Sequence, residues 1–298
     1  MRKLFLSGLL LGFFFTHGIF GQRVVVIGLD GFSVEGYHQA DIPHLKQLMS
    51  EGVLSLTTRS VMPSVTLPNW TSHLTGSGPE QHGVVNNQWT LEEHELPPME
   101  SDNDGYFPSI FKILKDQIRG VKTAYYYNWA HLIQPINQKY LDEVSYLEDD
   151  RYSENYDKAV QFMEKYATSP TLIFLYSVHT DHAGHGFEWM SAEYITALEE
   201  ADKAIGELLS KLKQKELYED THFFLITDHG GIGKSHGGVT EREMLVPWGV
   251  TGPGIRKGKS LDYPNSNINT AWVISQIFEC KQIPDSWVGR IPEGVFDK

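Results

Sequence analysis

Three short apolar runs constrain this chain more than any other feature: Arg23-Val-Val-Val-Ile-Gly-Leu-Asp30, Thr171-Leu-Ile-Phe-Leu-Tyr-Ser-Val178 and Thr221-His-Phe-Phe-Leu-Ile-Thr-Asp228. Each is continuous rather than alternating and rich in β-favouring residues, the pattern of strands buried on both faces of a parallel sheet. Helical patterns lie between and around them, over 43–51, 107–117, 153–166, 191–213 and 269–279. Such alternation predicts an α/β fold in which helices flank a mainly parallel sheet. Ligands of these sheets bind beyond the carboxyl ends of the strands. Asp30, the loop holding Asp181, and Asp228 all fall there.

The length of 298 residues suits one large domain, which we assign to residues 22–298. The stretch 88–150 reads differently. It holds Glu92, Glu93, Glu95 and Glu100, then Tyr125-Tyr126-Tyr127-Asn128-Trp129, then Asp149-Asp150. Its first part is expected to form a loop-rich, cap-like insertion, with a strand near 121–127. Core packing is the preferred reading for the aromatic run, and pocket lining the alternative. Acidic side chains number 38 against 25 basic, a formal charge of −13. No basic surplus exists to neutralise a phosphate backbone, so binding to a nucleic-acid polymer is not expected.

Residues 1–21 have the build of a secretory signal peptide: Arg2 and Lys3, an apolar run from Leu4 to Phe15, and Ile19 and Gly21 before a cut at Gln22. Thr16 and His17 keep the run below membrane-spanning length, although a retained anchor is the alternative. Secretion or a periplasmic location is therefore expected, with no stable membrane span after removal of the segment. The mature chain loses two basic side chains and no acidic ones, leaving a charge near −15. Cys280 is the single cysteine. It excludes an intramolecular disulfide and reads as a packed thiol.

Six histidines, His179, His182, His185, His222, His229 and His236, crowd into one window beside Asp181 and Asp228. The pattern Asp181-x-x-x-His185, Asp228-His229 and His236 puts carboxylate and imidazole donors at several strand ends, a set suited to zinc. His222 opens a strand at its far end and falls outside the cluster. His179 and His182 have outer or surface roles as alternatives to ligation. A second element, Thr66-Leu-Pro-Asn69 through Thr75-Gly76, reads as a helix whose first turn aims a hydroxyl and free backbone N–H groups at one point. Thr66 is either an N-cap or an activated nucleophile, and both roles can coexist. The sequon Asn69-Trp70-Thr71 is attributed to chance.

These segments together resemble the alkaline phosphatase superfamily, and within it the type I phosphodiesterase/nucleotide pyrophosphatase family. The matching stretches are Val26-Ile-Gly-Leu-Asp30-Gly-Phe32, Thr66-Leu-Pro-Asn69, Pro79 to Asn87, Asp181-His-Ala-Gly-His185, Thr227-Asp-His229-Gly and Ser235-His236-Gly, with a late Val246 to Gly254 segment. The resemblance implies an alkaline-phosphatase-like three-layer sandwich and two Zn2+ sites. Asp181, His185 and His236 would hold one ion. Asp30, Asp228 and His229 would hold the other, reached by Thr66 as nucleophile. Asn87 matches the residue that hydrogen-bonds a phosphoryl oxygen. The implied function is a secreted phosphodiesterase/pyrophosphatase acting on small phosphodiesters through a phosphothreonine. A phosphomonoesterase or phosphonate hydrolase is the runner-up, and a non-catalytic metal- and phosphate-binding protein stands behind both. Leu67 replaces an aromatic that stacks on the base in nucleotide-cleaving members, an interaction of about 1–3 kcal/mol. No phosphate-clamping arginine has a counterpart, which favours diesters. The leaving group and the oligomeric state are left open.

Overall fold

A computed structural model describes residues 22–261 and 264–297; the expected export segment, 1–21, lies outside them. The first elements are β1 (Arg23–Leu29), α1 (Val34–Gln39), α2 (Pro43–Ser50), β2 (Gly52–Arg59), α3 (Thr66–Thr75) and α4 (Pro79–His82). Next come α5 (Ile110–Gln117), β3 (Lys122–Tyr127), β4 (Glu143–Tyr146), α6 (Tyr152–Lys165), β5 (Thr171–Ser177) and α7 (His179–Phe187). The chain closes with α8 (Ala192–Gln214), β6 (Thr221–Ile226), α9 (Glu241–Met244), β7 (Leu245–Thr251), β8 (Lys259–Ser260) and α10 (Thr270–Ile277).

The strands form one sheet in the order β4-β3-β5-β1-β6-β7-β2-β8. The three apolar runs are its centre. β1 lies between β5 and β6 and is parallel to both, with Gly28 opposite Tyr176 and Ile226. β7 runs antiparallel to its neighbours β6 and β2, so the sheet is mainly parallel. Successive side chains of β1 enter different cores, which explains a continuous rather than alternating run. Val24 and Val26 pack with α3, α5 and α10. Val25, Ile27 and Leu29 pack with α2, α6 and α8 on the other face. Each such fully buried side chain contributes about 1.5–3 kcal/mol of apolar transfer. The result is the three-layer arrangement.

The structure departs from expectation in several places. Residues 179–187 form a helix rather than a loop, and β2 was not anticipated. Helix α5 starts at Ile110, not 107, because the Ser109 hydroxyl caps it by accepting the Lys112 N–H. Elsewhere the elements fall where expected: residues 88–108 carry no helix or strand, the strand near 121–127 is β3, and α5, β3 and β4 belong to the main fold. Tyr125, Tyr126 and Tyr127 are buried in the cores, and Trp129 is half-buried. Cys280 is partly buried, and burial pushes its thiol up to about 11, as fits a packed thiol. Among the described residues no helix is long and apolar enough to cross a membrane.

Candidate active site

The central strands end side by side, and a carboxylate follows each of them within four residues: Asp30 after β1, Asp181 after β5 and Asp228 after β6. After β1, Asp30 is fully buried and its N–H continues the ladder to Ser177 O at 2.9 Å. Gly31 then turns with φ +66°, and a Cβ there would meet the Asp181 backbone at 3.2 Å. Its N–H donates to Asp228 Oδ1 at 3.1 Å, locking the β1 and β6 exits together. After β5, α7 places Asp181 and His185 on one face, as i and i+4 positions lie one above the other. Asp181 Oδ2 sits 3.5 Å from His185 Nε2. After β6 come Asp228 and His229, both fully buried. His236 arrives from the following loop, which Glu243 pins by accepting from the Gly238 and Thr240 N–H groups.

Thr66 does not cap α3. The N-cap is Val65, in extended conformation and without a side-chain cap bond, and Thr66 is the first helical residue. Its hydroxyl is thereby free and lies 3.5 Å from His229 Nε2. The cap comes from elsewhere in the chain: Asn87 Oδ1 accepts the Leu67 N–H at 2.8 Å. The Asn87 amino group and the Thr66 N–H have no acceptor among the described residues. Pro68, lacking an N–H, adds no further unpaired donor to this turn. All ten residues of α3 are buried. Its polar side chains are satisfied locally, with Thr71, Ser72 and Thr75 hydroxyls each donating to the carbonyl four residues back. Asn69 is fully buried and clips the 61–65 loop through Val61, Pro63 and Val65, so it is closed to glycosylation.

The tautomers follow from chemistry, because only an N–H can donate to a carbonyl. His185 Nδ1 lies 2.8 Å from Lys234 O, His229 Nδ1 2.8 Å from Gly230 O, and His236 Nδ1 3.0 Å from Ser64 O. In the neutral form each ring therefore turns an Nε2 lone pair inward, the arrangement of metal-ligating histidines. Facing them are three buried carboxylate oxygens without any donor: Asp30 Oδ1, Asp181 Oδ1 and Asp228 Oδ2. Buried polar atoms are rarely left unpartnered, and this donor set fits divalent cations. Ligand atoms of Asp181, His185 and His236 lie within 4.8 Å of one another, as do those of Asp30, Asp181 and His229. The first group is the expected triad. In the second, Asp181 stands with Asp30 and His229, while Asp228 Oδ2 touches His229 Nε2 at 3.0 Å. Asp181 thus lies between the two groups.

Electrostatics agree with a site built for positive charge. Burial, with Asp228 and Asp181 nearby, holds the Asp30 carboxyl well above its usual range. Burial opposes a charge on His229, yet Asp228, Asp30 and Asp181 push it up to about 10. Burial and the neighbouring His229 hold His236 down, to about 4.

His179 and His182 turn away from this centre. His179 Nε2 donates to Ala197 O, and His182 pairs with Asp150 at 3.0 Å. His222 sits at the opposite end of β6 on Pro253 O. Leu67 is fully buried against Val84 and Trp89. Tyr176 and Trp70, both bonded to Asp30, were missed by sequence reasoning, since each is embedded in a segment that reads as core. Asn267, whose amide donates to Asn69 Oδ1 and Asp228 O, carried no motif at all.

A mainly parallel sheet with an uncapped hydroxyl and a carboxylate–imidazole cluster at its carboxyl edge defines an alkaline-phosphatase-like α/β protein. The model of the type I phosphodiesterase / nucleotide pyrophosphatase family matches residues 24–238, and the chain belongs to that family. It is 27% identical over 215 residues to ectonucleotide pyrophosphatase/phosphodiesterase family member 3 of Mus musculus, covering 70% of this chain and 24% of the relative. It is 26% identical over 242 residues to bis(5'-adenosyl)-triphosphatase ENPP4 of Homo sapiens, covering 76% of this chain and 51% of the relative. The chain therefore spans about a quarter to a half of these relatives. In fold it is similar to an inactive form of murine ectonucleotide pyrophosphatase/phosphodiesterase 5 solved in complex with AMP. The TM-score is 0.73 at 15% identity, over 88% of this chain and 96% of that one.

Proposed function

We propose that this chain is a zinc-dependent hydrolase of small phosphodiesters, working through a phosphothreonine at Thr66. One observation carries the reading: three Nδ1-anchored imidazoles point Nε2 at three donor-less buried carboxylate oxygens, with an uncapped hydroxyl beside them. Asp181, His185 and His236 would hold one ion, and Asp30, Asp228 and His229 the other. Bound divalent cations supply positive charge against a developing oxyanion and acidify a hydroxyl.

Thr66 Oγ1 attacks phosphorus, the bond to the leaving alkoxide or phosphate breaks, and the Thr66 proton leaves to solvent or the departing oxygen. Water then attacks the phosphothreonine and returns the free hydroxyl. The Thr66 N–H and the Asn87 amino group donate to non-bridging oxygens, held ready by the α3 turn and its Leu67 bond. No arginine belongs to the site residues, which favours a diester over a more highly charged monoester. Names of the relatives point to nucleotide substrates, so the panel to test is a dinucleoside polyphosphate, a glycerophosphodiester and a lysolipid. We further propose export through residues 1–21, on their basic, apolar and small-residue pattern.

The deciding measurement compares zinc-loaded protein with Thr66→Ala on bis-p-nitrophenyl phosphate. Because the hydroxyl makes no cap bond, the variant keeps its Tm while turnover disappears. Equal turnover in both proteins rejects the mechanism, and a p-nitrophenyl phosphate rate far above the diester rate rejects the substrate class.

A further inference from the structure

Asp30 presents its two carboxylate oxygens very differently. Oδ2 accepts two hydrogen bonds, from the Tyr176 hydroxyl at 2.5 Å and from the Trp70 indole N–H at 3.2 Å. Oδ1 is buried with no donor and lies 3.6 Å from His229 Nε2. A carboxylate oxygen offers about two lone-pair sites, so Oδ2 is saturated and Oδ1 is open. The backbone of Asp30 is fixed as well. Its N–H donates to Ser177 O, and its carbonyl accepts from the Thr180 hydroxyl.

We infer that Tyr176 and Trp70 are positioning residues that make Asp30 a one-oxygen metal ligand and tie that ligand to the helix carrying Thr66. The inference rests on the metal-dependent reading above. Tyr176 stands on β5 in register with Gly28 of β1, two residues before Asp30, so its hydroxyl reaches across one strand. Trp70 stands one turn after Thr66 on the same face of α3. A shift of α3 that moved the hydroxyl would also break the indole bond to Asp30. Gly28 makes room for this. A Cβ at Gly28 would meet the Trp70 ring at 2.7 Å, so the missing side chain lets the indole lie against β1. The ring is braced edge-on by Tyr176 at 5.3 Å and by Phe174 at 5.6 Å. Hydrogen bonds of this outer kind orient metal ligands and tune affinity about 10–100-fold.

The test uses the full chain with Tyr176→Phe, Trp70→Phe and Gly28→Ala, and Phe111→Leu as a comparison that loosens the same core at a ring packed on Tyr125 rather than on Trp70. Three quantities are read: zinc affinity by competition with a chromophoric chelator, the visible spectrum of the Co2+-loaded protein, and Tm. Tyr176→Phe is expected to weaken one zinc site about 10–100-fold. Its Co2+ bands should lose intensity as Asp30 turns to offer both oxygens and coordination number rises. Trp70→Phe and Gly28→Ala move affinity and spectrum the same way, whereas Phe111→Leu lowers Tm alone. Wild-type affinity and spectrum in Tyr176→Phe overturn the inference, as does an equal change in Phe111→Leu. If the unmutated chain takes up no metal, the proposed function fails and carries the inference down with it.

Discussion

The imidazoles of His229 and His236 stack face to face, with centroids 3.6 Å apart and planes within 13°, although each belongs to a different ligand group. They hang from separate carbonyls, Gly230 O and Ser64 O, so neither ring can rotate without losing its anchor. Removing His236 should therefore disturb both groups, whereas His185 belongs to only one. Elemental analysis after gel filtration is expected to find about one zinc per chain in His185→Ala and less in His236→Ala, each loss exceeding the ~10–100-fold weakening typical of an outer partner. Equal zinc content in the two variants would show that the stack transmits nothing.

Asn87 has two separable jobs. Its Oδ1 caps the N-terminal end of α3 through Leu67 N–H, and on the proposed mechanism its amino group donates to the substrate. Asn87→Ala loses the cap, at about 0.5–2 kcal/mol, and loses turnover as well. Asn87→Asp keeps an acceptor at a helix N-terminus, where negative charge is favourable, so stability returns. Turnover does not return, because the donor is gone and a repelling charge has replaced it. Thermal melts and diester kinetics on the two variants separate these roles.

The strand runs around Val26, Phe174 and Phe224 disclosed the sheet centre because burial on both faces leaves no polar interruption to misread. His229 and His236 were legible for a related reason: several donors of one chemical type cannot crowd beside Asp228 by packing preference alone. The helix at 179–187 was not legible. His179-Thr-Asp-His-Ala-Gly-His-Gly has weak helix propensity, and tertiary contacts hold it instead. Asn128 Oδ1 accepts the Val178 N–H at its start, and Gly184 packs under Trp189, where a Cβ would come within 2.8 Å. Tyr176 was hidden because a hydroxyl at the tip of a ring does not alter an apolar pattern. Of the two readings left open for Thr66, the N-cap one falls by a single residue: Val65 is the N-cap, so the Thr66 hydroxyl makes no cap bond.

Leu67, which the family resemblance led us to expect at the place of a base-stacking aromatic, is fully buried beneath Val84 and Trp89. It acts here as a core residue. Leu67→Ala is expected to cost about 2–5 kcal/mol, as for other buried leucines, with KM for a small diester essentially unchanged in the folded fraction. A several-fold rise in KM without loss of Tm would place Leu67 in the substrate pocket instead.

Acid should attack the edge of the sheet at Asp142. This carboxylate sits just before β4 and accepts from Thr123 N–H at 2.8 Å and Lys115 Nζ at 2.5 Å, with Lys122 Nζ at 3.4 Å. Burial alone would raise its pKa, but the Lys115 bond, the Thr123 amide and the charge of Lys122 outweigh it and hold the carboxyl below the usual range. A folded pKa below the unfolded value of about 3.9 means that the native state binds the proton less readily. The resulting stability is fully present above pH ~4 and disappears as pH falls through the folded value. Asp142→Asn, which keeps the shape without the charge, should lower stability near neutral pH by on the order of 1.5 kcal/mol for a charge-assisted bond, and Tm falls with it. Its deficit against the unmutated chain should then shrink steadily below pH 4. Melts recorded from pH 6 to pH 3 test this directly, and a deficit that stays constant across that range would rule out Asp142 as a source of the acid sensitivity.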